Sequence, residues 1–192
     1  MISVIIPVVR ERKAGRTVQA VQRASKIEVP VEIIAMKDND GIGCPRMVSK
    51  LVAEAKHPWI CFLGDDTIPR PDFLYEACVA ADTLPDTVGV VGLNDQTNRF
   101  ACTHFLAHRG MLEALDGEFF HTGYTHCFCD DELRERALRL GRFAMAWRSV
   151  VYHDHPVLDG GELGEYERLY RGEVFEKDKA LFMERRAKGW RS

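Results

Sequence analysis

Nothing in this sequence is both long and apolar enough to cross a bilayer. Its longest apolar runs, residues 2–9 and 59–63, fall well short of the roughly 20 residues a spanning helix needs. An excess of one charge is also missing. Lys and Arg number 26 against 29 Asp and Glu, a formal net charge of −3. The two signs are mixed along most of the chain, which excludes a general electrostatic footprint for nucleic acid and leaves open only a local basic patch near the C-terminus. Met1 leads into an apolar run with no basic segment before it, so a secretory signal is not expected. The six cysteines (Cys44, Cys61, Cys78, Cys102, Cys127, Cys129) lack the spacing of a disulfide framework, and reduced thiols in a cytoplasmic protein are the expectation. Internal repeats and low-complexity tracts are absent as well.

What is present is the balance of a globular protein with a real core: 192 residues, 46% hydrophobic and 29% charged, enough for one domain or a domain with a small appendage. "ISVIIPV" is a near-continuous β-branched run, as expected of a strand covered on both faces. A basic segment ends it, and "RTVQAVQRA" sets Val18, Val21 and Ala24 on one helical face. "VEIIAM" predicts a second buried strand ending in "KDND". "PRMVSKLVAEA" opens a helix at Pro45, "WICFL" is a third strand, "PDFLYEACVAA" a third helix and "VGVVG" a fourth strand. Such alternation predicts an α/β fold, a mainly parallel sheet with helices on both faces. Right-handed crossovers then bring the strand C-terminal ends, and with them Asp38, Asp40, Asp65 and Asp66, to one ligand-binding rim.

Beyond residue 94 the alternation stops. "FACTHFLAH" reads as a strand, "RGMLEAL" as a short helix and "DGEFFHTGYTHCFC" as an irregular loop. "DDELRERALRLG" predicts a helix capped by Asp130 or Asp131, with Leu133, Ala137 and Leu140 inward. "RFAMAW" and "SVVYHDHP" read as two short strands. From Glu162 the pattern is helical and highly charged, with Tyr166, Leu169, Phe175, Phe182 and Trp190 as apolar anchors. The domain is expected to occupy residues 1–156, and residues 157–192 to form a helical extension packed on it or on a second copy of the chain.

The sharpest feature is "CFLGDDTIPRPDFL". Two adjacent carboxylates at the end of a buried strand repel each other unless a cation sits between them or one takes up a proton. Hard divalent ions take carboxylate oxygens and, often, a substrate phosphate. A plain turn is the competing reading, since Asp is common at turns and beside proline. "YHDHP" adds His153 and His155, two apart on a strand and so on the same side.

In order and spacing, "SVIIPV", "EIIAMKDND", "CFLGDDTIPRPDFL", "RGMLEALDGEF", "DDELRERALRLG" and "VVYHDHP" together resemble the GT-A fold of family 2 glycosyltransferases, across residues 2–156. The resemblance implies transfer of a sugar from a nucleotide-diphosphate donor, most commonly a UDP-sugar, to an acceptor hydroxyl with inversion. It further implies that Pro7 and Val8 begin the nucleotide pocket, that Asp38 faces the base, and that Arg46 lies near base or phosphate. Asp65 is then expected to approach the ribose, and Asp66 to bind Mn²⁺ or Mg²⁺ with His153 or His155. Asp130 matches the catalytic carboxylate. In two places the chain departs from the pattern. Gly64 stands where many members have Asp, and Cys129 stands where Glu usually precedes the base, so Asp131 remains a second candidate.

Several other readings compete. "GIGCPRMVSK" has the glycines of a phosphate loop, but it follows the second strand rather than the first, and a tight turn explains it equally. His121, His126, Cys127 and Cys129 could ligate zinc, although C-x-C is not the spacing of a structural site. A catalytically silent nucleotide-sugar-binding module is the main alternative to an enzyme, and Gly64 is what keeps it open. The acceptor, whether glycan, lipid-linked, protein or nucleobase, is not specified by these motifs.

Overall fold

The computed structural model describes residues 1–25, 30–96, 102–154 and 172–190. A seven-stranded sheet runs in the order β2-β1-β3-β6-β5-β7-β4. Its strands are β1 (Ile2–Val8), β2 (Val31–Lys37), β3 (Trp59–Phe62), β4 (Thr67–Pro69), β5 (Val90–Asn94), β6 (Phe105–His108) and β7 (Phe143–His153). The helices are α1 (Glu11–Ser25), α2 (Cys44–Glu54), α3 (Phe73–Ala81), α4 (Cys129–Arg139) and α5 (Glu173–Ala187).

β1 is buried at every position, which is why its sequence is a near-continuous apolar run instead of an alternation, broken by Ser3, whose hydroxyl donates to Glu32 at 2.6 Å. Its pleat feeds two cores. Val4 and Ile6 join Val21 of α1 and Phe73 and Ala77 of α3 on one face. Ile5 joins Val48 and Leu51 of α2, Leu133 and Ala137 of α4, and Phe182 of α5 on the other. The same period-2 division recurs in β3, where Ile60 and Phe62 face one core and Cys61 the other. Trp190, just past α5, closes over Phe182 with ring centroids 5.4 Å apart.

Five of the seven strands run one way: β1 pairs parallel with β2 and β3, and β5 parallel with β7. β6 is antiparallel between β3 and β5, and β4 antiparallel on β7. The strand C-terminal rim is therefore interrupted at β6, whose beginning, at His104 and Phe105, comes to that rim instead.

Several local expectations change. The basic segment after β1 is the first turn of α1, which begins at Glu11. Among the described residues 102–108, the strand is the four residues of β6, and "RGMLEAL" forms two 3-10 turns, Arg109–Met111 and Glu113–Leu115. The two expected C-terminal strands are one, β7, whose pairing jumps from Leu93↔Ala146 to Asn94↔Val150. Such a bulge leaves Trp147 half exposed. The α4 N-cap is Phe128 in a left-handed conformation (φ 65°) and not an Asp; Asp130 and Asp131 lie in the first turn. Tyr166 and Leu169 fall outside the described residues.

Candidate functional site

The Asp65–Asp66 turn links β3 to β4 and is fixed from three sides. Leu63 donates its amide to Ile5 at 3.1 Å. The buried Thr17 hydroxyl of α1 donates to the Thr67 carbonyl at 2.7 Å and lies 3.1 Å from that of Asp65. From β7, the Asp154 amide reaches the Asp66 carbonyl at 2.8 Å.

Both carboxylates are almost fully buried, each residue 3% exposed. Asp65 Oδ2 accepts the amides of Val9 and Arg10 at 2.8 and 2.6 Å, and its Oδ1 accepts Arg10 Nε at 3.1 Å. Arg10 Nη2 bridges to Asp66 Oδ2 at 3.0 Å. On the other side of Asp66, Oδ1 is 3.3 Å from His153 Nε2. Burial alone would raise the Asp66 carboxyl, but the hydrogen bond and charge of His153, with Arg10 behind them, win and hold it well below the usual carboxylate range. The positive charge that adjacent aspartates demand is thus partly built in, from a residue the sequence reading passed over. In the sequence Arg10 is one member of the basic segment that follows β1.

His153 reaches this turn because β4 pairs with the end of β7, in the register Thr67↔His153 and Ile68↔Tyr152. His155, the alternative ligand, lies outside the described residues. Against His153 stand two groups that the sequence reading did not single out. The β5–β6 hairpin, closed by the Leu93 amide on the His104 carbonyl at 3.0 Å, carries Asp95 at one end and His104 at the other. Each is 2% exposed. Asp95, His104 and His153 offer ligand atoms all within 4.8 Å of one another, and the two imidazoles meet edge to face with centroids 4.9 Å apart. Burial first, then the charge of His153, lowers the His104 pKa to about 3. Among the described residues this is the group of metal-capable side chains that converges; His121, His126, Cys127 and Cys129 form no such group, which removes the basis of the zinc reading.

Asp38 ends β2, and both its oxygens accept main-chain amides of the following turn, Ile42 at 2.9 Å and Gly43 at 3.0 Å. The carboxylate therefore shapes the loop into α2. Gly43 (φ 89°) has no alternative here, because a Cβ would lie 2.6 Å from the Thr125 carbonyl. Arg46 is exposed in the first turn of α2, its Nη1 3.3 Å from the Ile42 carbonyl. Pro7 and Val8 are buried at the end of β1, paired with Met36 and Lys37. Cys44, the first residue of α2, lies within reach of three of these acids: burial, then the charges of Asp130, Asp65 and Asp38, push its thiol up to about 12.

Asp130 is recessed at the start of α4, with the Thr103 hydroxyl donating to its Oδ2 at 3.3 Å. Burial and the neighbouring charge of Asp131 raise its pKa to about 6, outweighing the helix amides and Thr103, which pull it down. The helix N-terminus favours the ionised form, but it opposes the larger effect without overcoming it. Asp131 faces outward and pairs with Arg134 at 3.2 Å. The loop before α4 is gripped by α5, whose buried Asp178 accepts the amides of Thr125, His126 and Cys127 at 3.0, 2.8 and 2.9 Å. A second tie is buried beneath it. Glu132 accepts Arg185 Nε and Nη2 at 2.9 and 2.8 Å and the Tyr124 hydroxyl at 2.8 Å.

The metal expected from the sequence can be tested against these atoms. Two cis ligands of an octahedral ion with bonds of about 2.1 Å stand roughly 3.0 Å apart, close to the 3.3 Å edge between Asp66 Oδ1 and His153 Nε2. One carboxylate and one imidazole, at an edge of that length, fit a divalent ion.

No protein-family model and no curated protein matches the sequence. Solved structures do. The mannosyltransferase PcManGT from Pyrobaculum calidifontis, in complex with GDP-Man and Mn²⁺, superposes with a TM-score of 0.67 at 15% identity, over 95% of this chain and 64% of that one. S. aureus TarS 1–349 gives 0.58 at 13% identity over 97% of this chain and 72% of the fragment. Its complex with UDP-GlcNAc gives 0.58 at 12% identity. The chain spans 43% of a longer TarS chain. No helix among the described residues is long and apolar enough to cross a membrane. Its sheet order, the two-sided helical cover and these superpositions together identify the GT-A glycosyltransferase fold.

Proposed function

We propose that the protein is a nucleotide-sugar-dependent glycosyltransferase that moves a sugar from a nucleoside-diphosphate donor to an acceptor hydroxyl, with inversion. The observation that carries this reading is the buried Asp65–Asp66 turn, with Arg10 and His153 gathered on it, at the rim of a GT-A fold. The transferase domain is assigned to residues 1–156, and α5, from the C-terminal extension, acts as a brace on its acceptor side.

In this reading the donor's nucleoside lies over the ends of β1 and β2, along Pro7, Val8, Asp38 and Arg46, with Asp65 towards the ribose. The loop geometry modifies one detail: since both Asp38 oxygens already accept amides, the base meets this carboxylate only through remaining lone pairs. Asp66 and His153 would hold Mn²⁺ or Mg²⁺, which supplies positive charge to the departing diphosphate. Arg10 adds a fixed cation on the same side.

Bond making is assigned to the other side. As the acceptor oxygen attacks the anomeric carbon, the carbon–oxygen bond to the diphosphate breaks and the acceptor's proton passes to Asp130. A base of ordinary Asp strength would be weak. Raised to about 6, Asp130 is still mostly ionised at pH 7 yet holds a proton more firmly, which suits a general base at neutral pH. Asp131, paired outward with Arg134, is the poorer candidate. The loop 121–128 and α5 face the acceptor.

The test is turnover of a panel of UDP-, GDP- and TDP-sugars with Mn²⁺, following nucleoside diphosphate release. Transfer by the wild type that collapses in Asp130→Ala, with donor binding intact, supports the assignment. Tight donor binding with no turnover of any donor would favour the silent module.

A further inference from the structure

Beside the Asp66–His153 pair lie two buried groups to which the reaction above gives no task. His104 is 2% exposed, and its Nε2 meets no hydrogen-bond partner among the described residues. A buried ring nitrogen without a partner is destabilising unless something comes to meet it. Asp95 is equally buried, and it lies with His104 and His153 in a cluster whose ligand atoms are all within 4.8 Å. Ligands around one ion with bonds of about 2.1 Å stand roughly 3 Å apart when cis and 4.2 Å when trans. A small contraction brings the cluster into that range.

We propose that Asp95, His104 and His153 form a protein-built site for a divalent transition metal, contiguous with Asp66, which holds its ion before any nucleotide arrives. This deepens the proposed function and rests on it for the use of the ion, but not for its binding. With Asp66 and His153 alone, most of the ion's shell has to come from diphosphate and water, so the ion would depend on the nucleotide. Asp95 and His104 remove that dependence. They also set a preference. Two imidazoles suit Zn²⁺ or Co²⁺ best and Mn²⁺ less strongly, whereas Mg²⁺ favours oxygen ligands and retained water.

Gly64 fits the same account. Any Cβ there would stand 3.0 Å from Asp66 Oδ1 and 3.4 Å from His104 Cε1. A side chain at position 64 would push between the two groups, and the carboxylate missing from the turn is made good from the β5–β6 hairpin. Loading has one local consequence. For Nε2 to ligate, the His104 proton must sit on Nδ1, which now accepts the Gly64 amide at 3.4 Å, so that long contact is given up.

The experiment is calorimetric titration of Mn²⁺, and separately Mg²⁺, into the chelator-treated full chain without nucleotide. Electron spin-echo spectroscopy of bound Mn²⁺ then counts the nitrogen ligands. Expected are one Mn²⁺ site, at least tenfold weaker Mg²⁺ binding, and modulation from two imidazoles. In Asp95→Asn and His104→Gln, Mn²⁺ affinity should fall by about 10–100-fold, and in the second the signal should drop to one imidazole. Circular dichroism establishes that each variant is folded, and the wild-type spectrum tests the claim without any variant. Should Mn²⁺ bind only with a nucleoside diphosphate, through one nitrogen, the inference is overturned while the glycosyltransferase reading stands. Should it bind under neither condition, both the inference and the metal-dependent mechanism fall.

Discussion

Asp178 Oδ2 stands 2.9 Å from the amide of Cys127, so a helix near the end of the chain grips the loop that leads into the Asp130 helix. The neighbouring amides of Thr125 and His126 bind the same carboxylate. Asp178→Ala removes the carboxylate that these three amides share. At roughly 1–3 kcal/mol for each amide that stays buried and unmet, the expected cost is about 3 kcal/mol, since water will reach some of them. Thermal melting measures that loss. Turnover should fall by a larger factor than nucleotide affinity, because the loop runs directly into the helix that carries Asp130, while at the nucleotide end its Thr125 carbonyl merely backs Gly43.

Arg10 is the permanent counter-ion of both rim aspartates. Breaking a buried pair by removing one partner typically costs about 3–5 kcal/mol, and Arg10, about one-fifth exposed, is expected at the lower end. Arg10→Leu should also free Asp66 to protonate more readily. Because the Asp66 pKa is depressed in the fold, its contribution to stability is present above the unfolded carboxylate range and is lost as pH falls. Acid unfolding of the variant should therefore begin at higher pH than that of the wild type, as read by circular dichroism across a pH series.

Asp130 behaves in the opposite sense. Its folded pKa, about 6, lies above that of an unfolded Asp, so the fold binds the extra proton and loses stability as pH rises through that interval. Asp130→Asn is therefore expected to melt at a higher temperature than the wild type at pH 7, while turnover drops by about 10²–10⁴-fold. With wild-type protein, transfer should increase with pH up to a plateau whose midpoint is near 6. A flat profile from pH 5 to 8 would remove Asp130 as the base.

The sheet could be read from the chain to the extent that one strand's own residues carry the signal. β1 carries six apolar residues in seven because both its faces are covered, and that run is visible without any partner. Pairing between distant segments is another matter. Nothing in "TIP" announces that Thr67–Pro69 pairs with the end of β7, yet that pairing is what brings His153 to Asp66. Asp95 and His104 were missed for the same reason, since a hairpin turns them inward together and neither belongs to a motif. Asp178 looked like one charge among many on a polar helix, but it is fully buried. The expected Asp cap of α4 failed because Phe128, packed on Phe175 and Phe182 at 5.2 and 5.4 Å, takes the left-handed position itself.

The most direct test of the central claim is calorimetric titration of a nucleoside diphosphate into chelator-treated protein, with and without added Mn²⁺, in the wild type, Asp66→Ala and Asp130→Ala. The account predicts Mn²⁺-dependent binding in the wild type, its loss in Asp66→Ala and its survival in Asp130→Ala. Binding indifferent both to Mn²⁺ and to the loss of the Asp66 carboxylate would contradict it.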